Sequence, residues 1–211
     1  MKLLMFVRRL IVILTGILFL VYASYNIFVI VKDIRSMTVF GVLIGMLVAV
    51  LFAVLAVFVW TAGIQSVKLG FLKKRVAWFI ITILALFALK LRMAGEVFAY
   101  LDFTKPPTVF YVISYFLTLE AFLVLFVYYA FILKRRPFFP RAAVLLPVLA
   151  IFLFLCSFAL EAVLFYAYGV ITEANPFRTM IIRPVFYLGF IGLSASFLFP
   201  PPLPEPAVKA K

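Results

Sequence analysis

The sequence predicts an all-α fold, a polytopic transmembrane bundle of six helices with the N-terminus and C-terminus cytoplasmic. Three observations carry that expectation. Six stretches are long and apolar enough to cross a bilayer, the basic residues between them fall on alternate sides, and the apolar content is too high for a soluble fold. Of the 211 residues 68% are hydrophobic, and the mean hydropathy is +1.29. Soluble domains hold roughly 45–50% apolar residues, because polar groups must cover their outside. In lipid the outside is apolar too. Residues 1–199 are expected to form a single six-helix transmembrane domain, followed by a Pro-rich flexible tail over 200–211. No segment between spans is long enough to fold as a separate soluble domain.

The expected spans cover residues 10–31, 37–64, 76–93, 108–133, 142–168 and 181–199. Each meets the roughly 17–25 residues that an apolar helix needs to cross the hydrocarbon. Helices are the expected form because lipid cannot satisfy exposed backbone groups, and the alternating pattern of a membrane barrel is absent. The first span has the basic start of a signal peptide (Lys2, Arg8, Arg9) and small residues at Ala23 and Ser24. Its apolar run continues through Ile27-Phe28-Val29-Ile30-Val31, too long for an ordinary signal core, so a retained helix is expected.

Orientation follows from Lys and Arg in the short connections. On one side stand Lys2, Arg8 and Arg9, then Lys68, Lys73, Lys74 and Arg75, then Lys134, Arg135, Arg136 and Arg141, and finally Lys209 and Lys211. Only Glu205 opposes these thirteen. On the other side Lys32, Arg35, Lys105 and Arg178 are balanced by Asp33, Glu96, Asp102 and Glu173. The basic side is therefore expected in the cytoplasm, as in a bacterial or archaeal cytoplasmic membrane. The same distribution explains the net charge of +13 without nucleic acid, since no folded basic face is present. Beyond topology, Lys73-Lys74-Arg75 and Lys134-Arg135-Arg136 with Arg141 are candidate contacts to anionic lipid headgroups, each worth about 1 kcal/mol near the surface.

Catalytic and cofactor chemistry find little purchase. The chain has no histidine, which removes histidine-ligated haem and metal sites, and no cofactor is expected. The single cysteine, Cys156, lies inside the fifth span and reads as a small core residue rather than a nucleophile. No Gly-rich phosphate loop, nucleophile elbow or His-Glu-x-x-His motif occurs, so no catalytic residue is expected. Asn175-Pro176 reads as a turn.

The informative residues are the ionisable ones inside spans: Lys90, Arg92, Glu120, Glu161 and Arg183. A lone charge at a helix centre costs about 2.5–3.5 kcal/mol on insertion scales, so such residues face a partner or water. Glu120 is the deepest, roughly 18 Å from the start of its span at 1.5 Å per residue, and Glu161 lies roughly 10 Å from the end of its own. Two readings stay open. In one, the cations snorkel outward and the glutamates are protonated or paired across helices. In the other, Glu120 and Glu161 line a polar cavity with Lys90 or Arg183, as a proton- or ion-coupled carrier or channel needs.

Packing signals are fewer. Gly41 and Gly45 share a helix face, and Gly192 with Ser196 repeats the spacing, which permits close helix approach. Pro147 and Pro184 are expected to kink their helices. Tyr128, Tyr129, Tyr166 and Tyr168 stand near span ends, where aromatic belts form. Residues 95–107 (GEVFAYLDFTKPP) have the length for a short interfacial helix.

The run Lys134-Arg135-Arg136-Pro137-Phe138-Phe139-Pro140-Arg141 resembles the basic, aromatic, proline-containing loop of a bacterial membrane family, domain of unknown function 2569. In the last span Arg183, Tyr187, Phe190 and Ser194 are similar in spacing to that family's final helix. The family's Ser-x-Arg-Val ending is replaced around Ser196-Phe197, and the likeness covers the C-terminal third. It implies bacterial origin and no known activity. Taken together, the residues favour a non-enzymatic accessory or scaffold subunit that packs against lipids or other membrane subunits, with a carrier as the alternative.

Overall fold

The computed structural model describes residues 2–64, 69–98, 105–133, 138–168 and 178–199. They form α1 (Lys2–Asp33), α2 (Val39–Ile64), α3 (Leu69–Phe98), α4 (Pro106–Val127), α5 (Pro140–Tyr168) and α6 (Arg183–Ser196). One π-helical turn, Tyr128–Ile132, continues α4, and another, Arg178–Ile182, leads into α6. Each helix packs on its neighbours in sequence, and α6 returns to α1, so the six close into a ring. Leu3–Asp33, Val39–Thr61, Pro107–Ile132 and Pro140–Ala167 are long and apolar enough to cross a membrane; Met180–Ser196 is a shorter apolar helix. The expected six-helix bundle is what the chain forms.

The helices overrun the apolar stretches. α1 begins at Lys2 rather than near residue 10, and α3 covers 69–98 rather than 76–93. Lys and Arg are good helix formers, so a basic flank ends the apolar signal without ending the helix. At 32 residues, α1 is roughly 48 Å long, well beyond the ~30 Å of hydrocarbon. Residues 95–98 belong to α3, so the interfacial helix expected over 95–107 does not begin there; 99–104 lie outside the described residues. Lys105 is extended (φ −94°, ψ 128°) and caps α4 ahead of Pro106 and Pro107, as steric conflict with a following proline demands. Between α1 and α2 the Asp33 carbonyl accepts from the backbone N–H groups of Ser36 and Met37 at 2.9 and 3.0 Å. The Gly41 N–H then donates to the Thr38 hydroxyl at 3.1 Å, which caps the start of α2.

Pro147 lies inside α5, and Pro184 stands just after the π-helical turn Arg178–Ile182 that runs into α6. Glycine packing differs from expectation in detail. A Cβ on Gly45 would meet Ile30 of α1 at 2.9 Å, but one on Gly41 would meet only the Thr38 hydroxyl at 3.3 Å. Gly41 thus serves the cap and Gly45 the helix contact. Gly192 leaves room for Thr15 of α1, and the buried Ser196 hydroxyl donates to the Leu193 carbonyl at 2.6 Å within its own helix. Gly16 and Gly189 matter as much: the first lies under Trp60 of α2, the second against Phe19. The Trp60 indole N–H donates to the Ile13 carbonyl at 3.2 Å across that contact.

Aromatic rings fill the centre. Phe190 of α6 lies 5.1 Å from Phe19, 4.9 Å from Phe122, 5.3 Å from Phe154 and 5.9 Å from Phe52 between ring centroids. One side chain therefore bridges four other helices. A second cluster forms around Tyr129, whose ring lies 3.7 Å from Phe79 and 4.7 Å from Phe197. This corrects the aromatic-belt expectation for Tyr128 and Tyr129, both of which are 0% exposed. The turn of π-helix carries them inward, onto the ends of α2, α3 and α6. Tyr166 is exposed, as a belt residue is, and the Tyr168 side chain lies outside the described residues.

Candidate functional site

Three pairs of polar residues spaced four apart meet between α4, α5 and α6. They are Ser114 and Thr118, Ser157 and Glu161, and Arg183 and Tyr187. Residues four apart share one helix face, so each helix offers a two-residue polar patch to the same place. Ser114, Thr118, Ser157 and Tyr187 are buried. The Glu161 and Arg183 side chains are 11% and 21% exposed, and their pair ties α5, two turns before its end, to the start of α6.

The contacts form one connected network. Arg183 donates from Nη1 to Glu161 Oε2 at 3.0 Å, and Tyr187 donates its hydroxyl to Glu161 Oε1 at 2.8 Å. The Ser114 hydroxyl reaches the same Oε1 at 3.4 Å. The oxygens of Ser157 and Tyr187 lie 3.0 Å apart, and those of Thr118 and Ser157 lie 2.7 Å apart. A hydroxyl donates once, and Tyr187 donates to the carboxylate. Ser157 has the Tyr187 oxygen at 3.0 Å and the Ser114 carbonyl at 2.8 Å as acceptors. Thr118 has the Ser157 oxygen at 2.7 Å and the same carbonyl at 3.1 Å. With Thr118 donating to Ser157 and Ser157 to Tyr187 the hydroxyls run in series to Glu161, and such chains polarise one another in a low-dielectric interior. The result is a carboxylate held by a guanidinium and two hydroxyls.

α3 joins the same end of the bundle by a different route. Tyr115 of α4 donates to the Lys90 carbonyl at 2.8 Å, and the Lys90 ammonium sits 4.1 Å from the centre of the Tyr115 ring. Its distance to the Phe186 ring is 5.9 Å. Lys90 therefore binds an aromatic face, and Arg183 is the ion-pair partner of Glu161. Arg92 is exposed and lies over Phe40 of α2 at 4.3 Å, away from the network.

Glu120 is also elsewhere. Two residues beyond Thr118 on α4, it points away from the bundle and is exposed. Among the described residues it makes no hydrogen bond or ion pair. The five ionisable residues singled out in the sequence thus divide. Glu161 and Arg183 pair, Lys90 adjoins them, and Arg92 and Glu120 face outward on other sides. Ser114, Thr118 and Ser157 carried no individual signal, because single hydroxyl residues are common in apolar helices. Their spacing was the available clue: three pairs four residues apart at matching depth in neighbouring spans. Tyr187 entered only through the spacing shared with Arg183, Phe190 and Ser194, and these positions do form the inward face of α6.

Of the basic residues considered for headgroup contact, Arg141 is exposed at the start of α5. Lys134, Arg135 and Arg136 lie outside the described residues, as do the side chains of Lys73, Lys74 and Arg75, residues Asn175 and Pro176, and the 200–211 tail. Cys156 is a free thiol, half-buried in α5. Among the described residues no three His, Cys, Asp or Glu side chains gather closely enough to hold a metal ion. Neither a family model, nor a curated protein, nor a solved structure matches this chain.

Proposed function

We propose that the chain is a non-enzymatic accessory subunit of a cytoplasmic membrane, with both termini in the cytoplasm, whose outer surface docks partner helices. The contrast between its two intramembrane glutamates supports this reading. Glu161 has its acceptor capacity used by Arg183, Tyr187 and Ser114, a bracing role that ties α4, α5 and α6. Glu120 has no such use among the described residues and faces outward, open to a neighbour. Purification in a mild detergent, followed by identification of associated chains, tests the proposal. Wild-type protein is expected to carry a stoichiometric membrane partner, and Glu120→Leu to lose it while keeping its own fold. Recovery of the wild-type protein alone, from membranes crosslinked before solubilisation, would end the docking reading. Tag accessibility at the 73–75 and 134–141 turns tests the orientation, which requires both in the cytoplasm.

A second reading, the proton- or ion-coupled carrier, is favoured by one observation. The hydroxyls of Thr118, Ser157 and Tyr187 run in series to Glu161, a path along which a proton could pass. Proteoliposomes bearing a pH-sensitive dye decide it: carriage requires a flux that Glu161→Gln abolishes.

A further inference from the structure

The exposed residues of α4 are Val109, Ile113, Phe116, Glu120 and Leu123. Their spacings are four, three, four and three, the seven-residue pattern of a helix seam. At about 100° per residue they fall within a stripe roughly 80° wide and roughly 21 Å long, most of the hydrocarbon thickness. Thr118, on the Glu161 network, lies on the opposite side of the same helix. The stripe is apolar except for one carboxyl group, which lies near the middle of the Pro107–Ile132 span. Among the described residues nothing needs that group: Glu120 braces no helix and caps no turn.

We propose that this stripe is the seat of a transmembrane helix from another protein, one that carries a single Lys or Arg at the depth of Glu120. The proposal rests on the docking reading above and specifies its partner by charge. A carboxyl facing lipid at this depth is costly by itself, and an opposite charge on a packed helix removes the cost by pairing. A second copy of this chain does not supply that charge. Packed stripe to stripe about a two-fold axis it would set Glu120 against Glu120. The chain's own cations near the membrane interior are engaged elsewhere, Arg183 on Glu161, Lys90 on Tyr115 and Arg92 on Phe40. The remaining stripe positions, two β-branched residues, a Phe and a Leu, offer the shallow apolar ridge on which a mostly aliphatic helix packs.

A photoreactive residue placed at Phe116 or Leu123 of the full chain in native membranes provides the first test. The expected crosslink is to a single-span or multi-span protein whose captured helix bears Lys or Arg within one turn of the crosslinked depth. The second test uses a defined probe in liposomes, a Leu/Ala helix with one central Lys, against its Leu and Glu counterparts. Energy transfer should show the Lys helix binding the wild-type chain about tenfold or more better than the Leu helix, since pairing removes a charge cost of several kcal/mol. Glu120→Leu should erase that preference, Glu120→Gln should weaken it, and Glu120→Lys should transfer it to the Glu helix. Equal binding of the Lys and Leu helices overturns the proposal. So does Glu120-dependent energy transfer between copies of this chain, which would make a second copy the occupant. Crosslinks to helices without a cation overturn the charge pairing and leave the docking reading standing, whereas crosslinks to lipid alone, together with no co-purifying chain, remove both.

Discussion

Glu161 and Glu120 are the same side chain in neighbouring helices of one bundle, and the structure treats them oppositely. Glu161 points inward, where a guanidinium at 3.0 Å and a phenol at 2.8 Å compensate its charge. Glu120 points outward and has no compensation among the described residues. The lesson is that depth alone does not assign a role to an intramembrane acid. A buried ion pair is expensive to break because the survivor is left uncompensated. An exposed acid contributes nothing to the isolated fold, and its cost falls on the chain until something covers it.

The comparison breaks most readily at Glu161. Replacing it with Ala leaves Arg183 partly buried without its counter-charge and removes the acceptor of Tyr187, so a loss of about 3–5 kcal/mol is expected. Unfolding in mixed micelles measures it, and a loss no larger than that of an exposed Leu→Ala would make the network ornamental. A double-mutant cycle sharpens the result. Glu161→Gln and Arg183→Gln should couple by about 0.5–3 kcal/mol, as residues within one polar network do. Glu161→Gln and Lys90→Gln should be close to additive, because the Lys90 ammonium rests on the Tyr115 ring. Strong coupling to Lys90 instead would move the ion pair.

Smaller effects follow further from the charge. Ser157→Ala interrupts the hydroxyl series between Thr118 and Tyr187 and should cost about 1 kcal/mol, the typical net worth of an internal hydrogen bond. The same unfolding assay applies, with Ser24→Ala on the exposed face of α1 as a reference. Smallest of all is the loss from Glu120→Gln in the isolated chain, which breaks no internal contact and should cost no more than about 0.5 kcal/mol of stability, as for surface changes generally. A destabilisation comparable to that of Glu161→Ala would show that Glu120 braces the bundle and would remove the contrast on which its outward role rests.

Helix number, order and approximate limits were legible in the chain because the bilayer sets them: hydrocarbon thickness dictates apolar length, and backbone satisfaction dictates helix. The pairing of Glu161 was half legible, since Lys90 and Arg183 lay at suitable depth and only the fold chose between them. Facing was the part that could not be read. An apolar helix in lipid is apolar all round, so no amphipathic stripe marks which side of α4 holds Thr118 and which holds Glu120. For the same reason Tyr128 and Tyr129 read as belt residues and prove to be core, and nothing in the sequence marks Gly16 and Gly189 as the seats of the Trp60 and Phe19 rings. The amino-acid sequence by itself determined that this is a six-helix membrane bundle, because length and hydropathy are local properties. Only the tertiary structure decided which acid is paired inside and which faces outward, because rotation about a helix axis is settled by packing between helices.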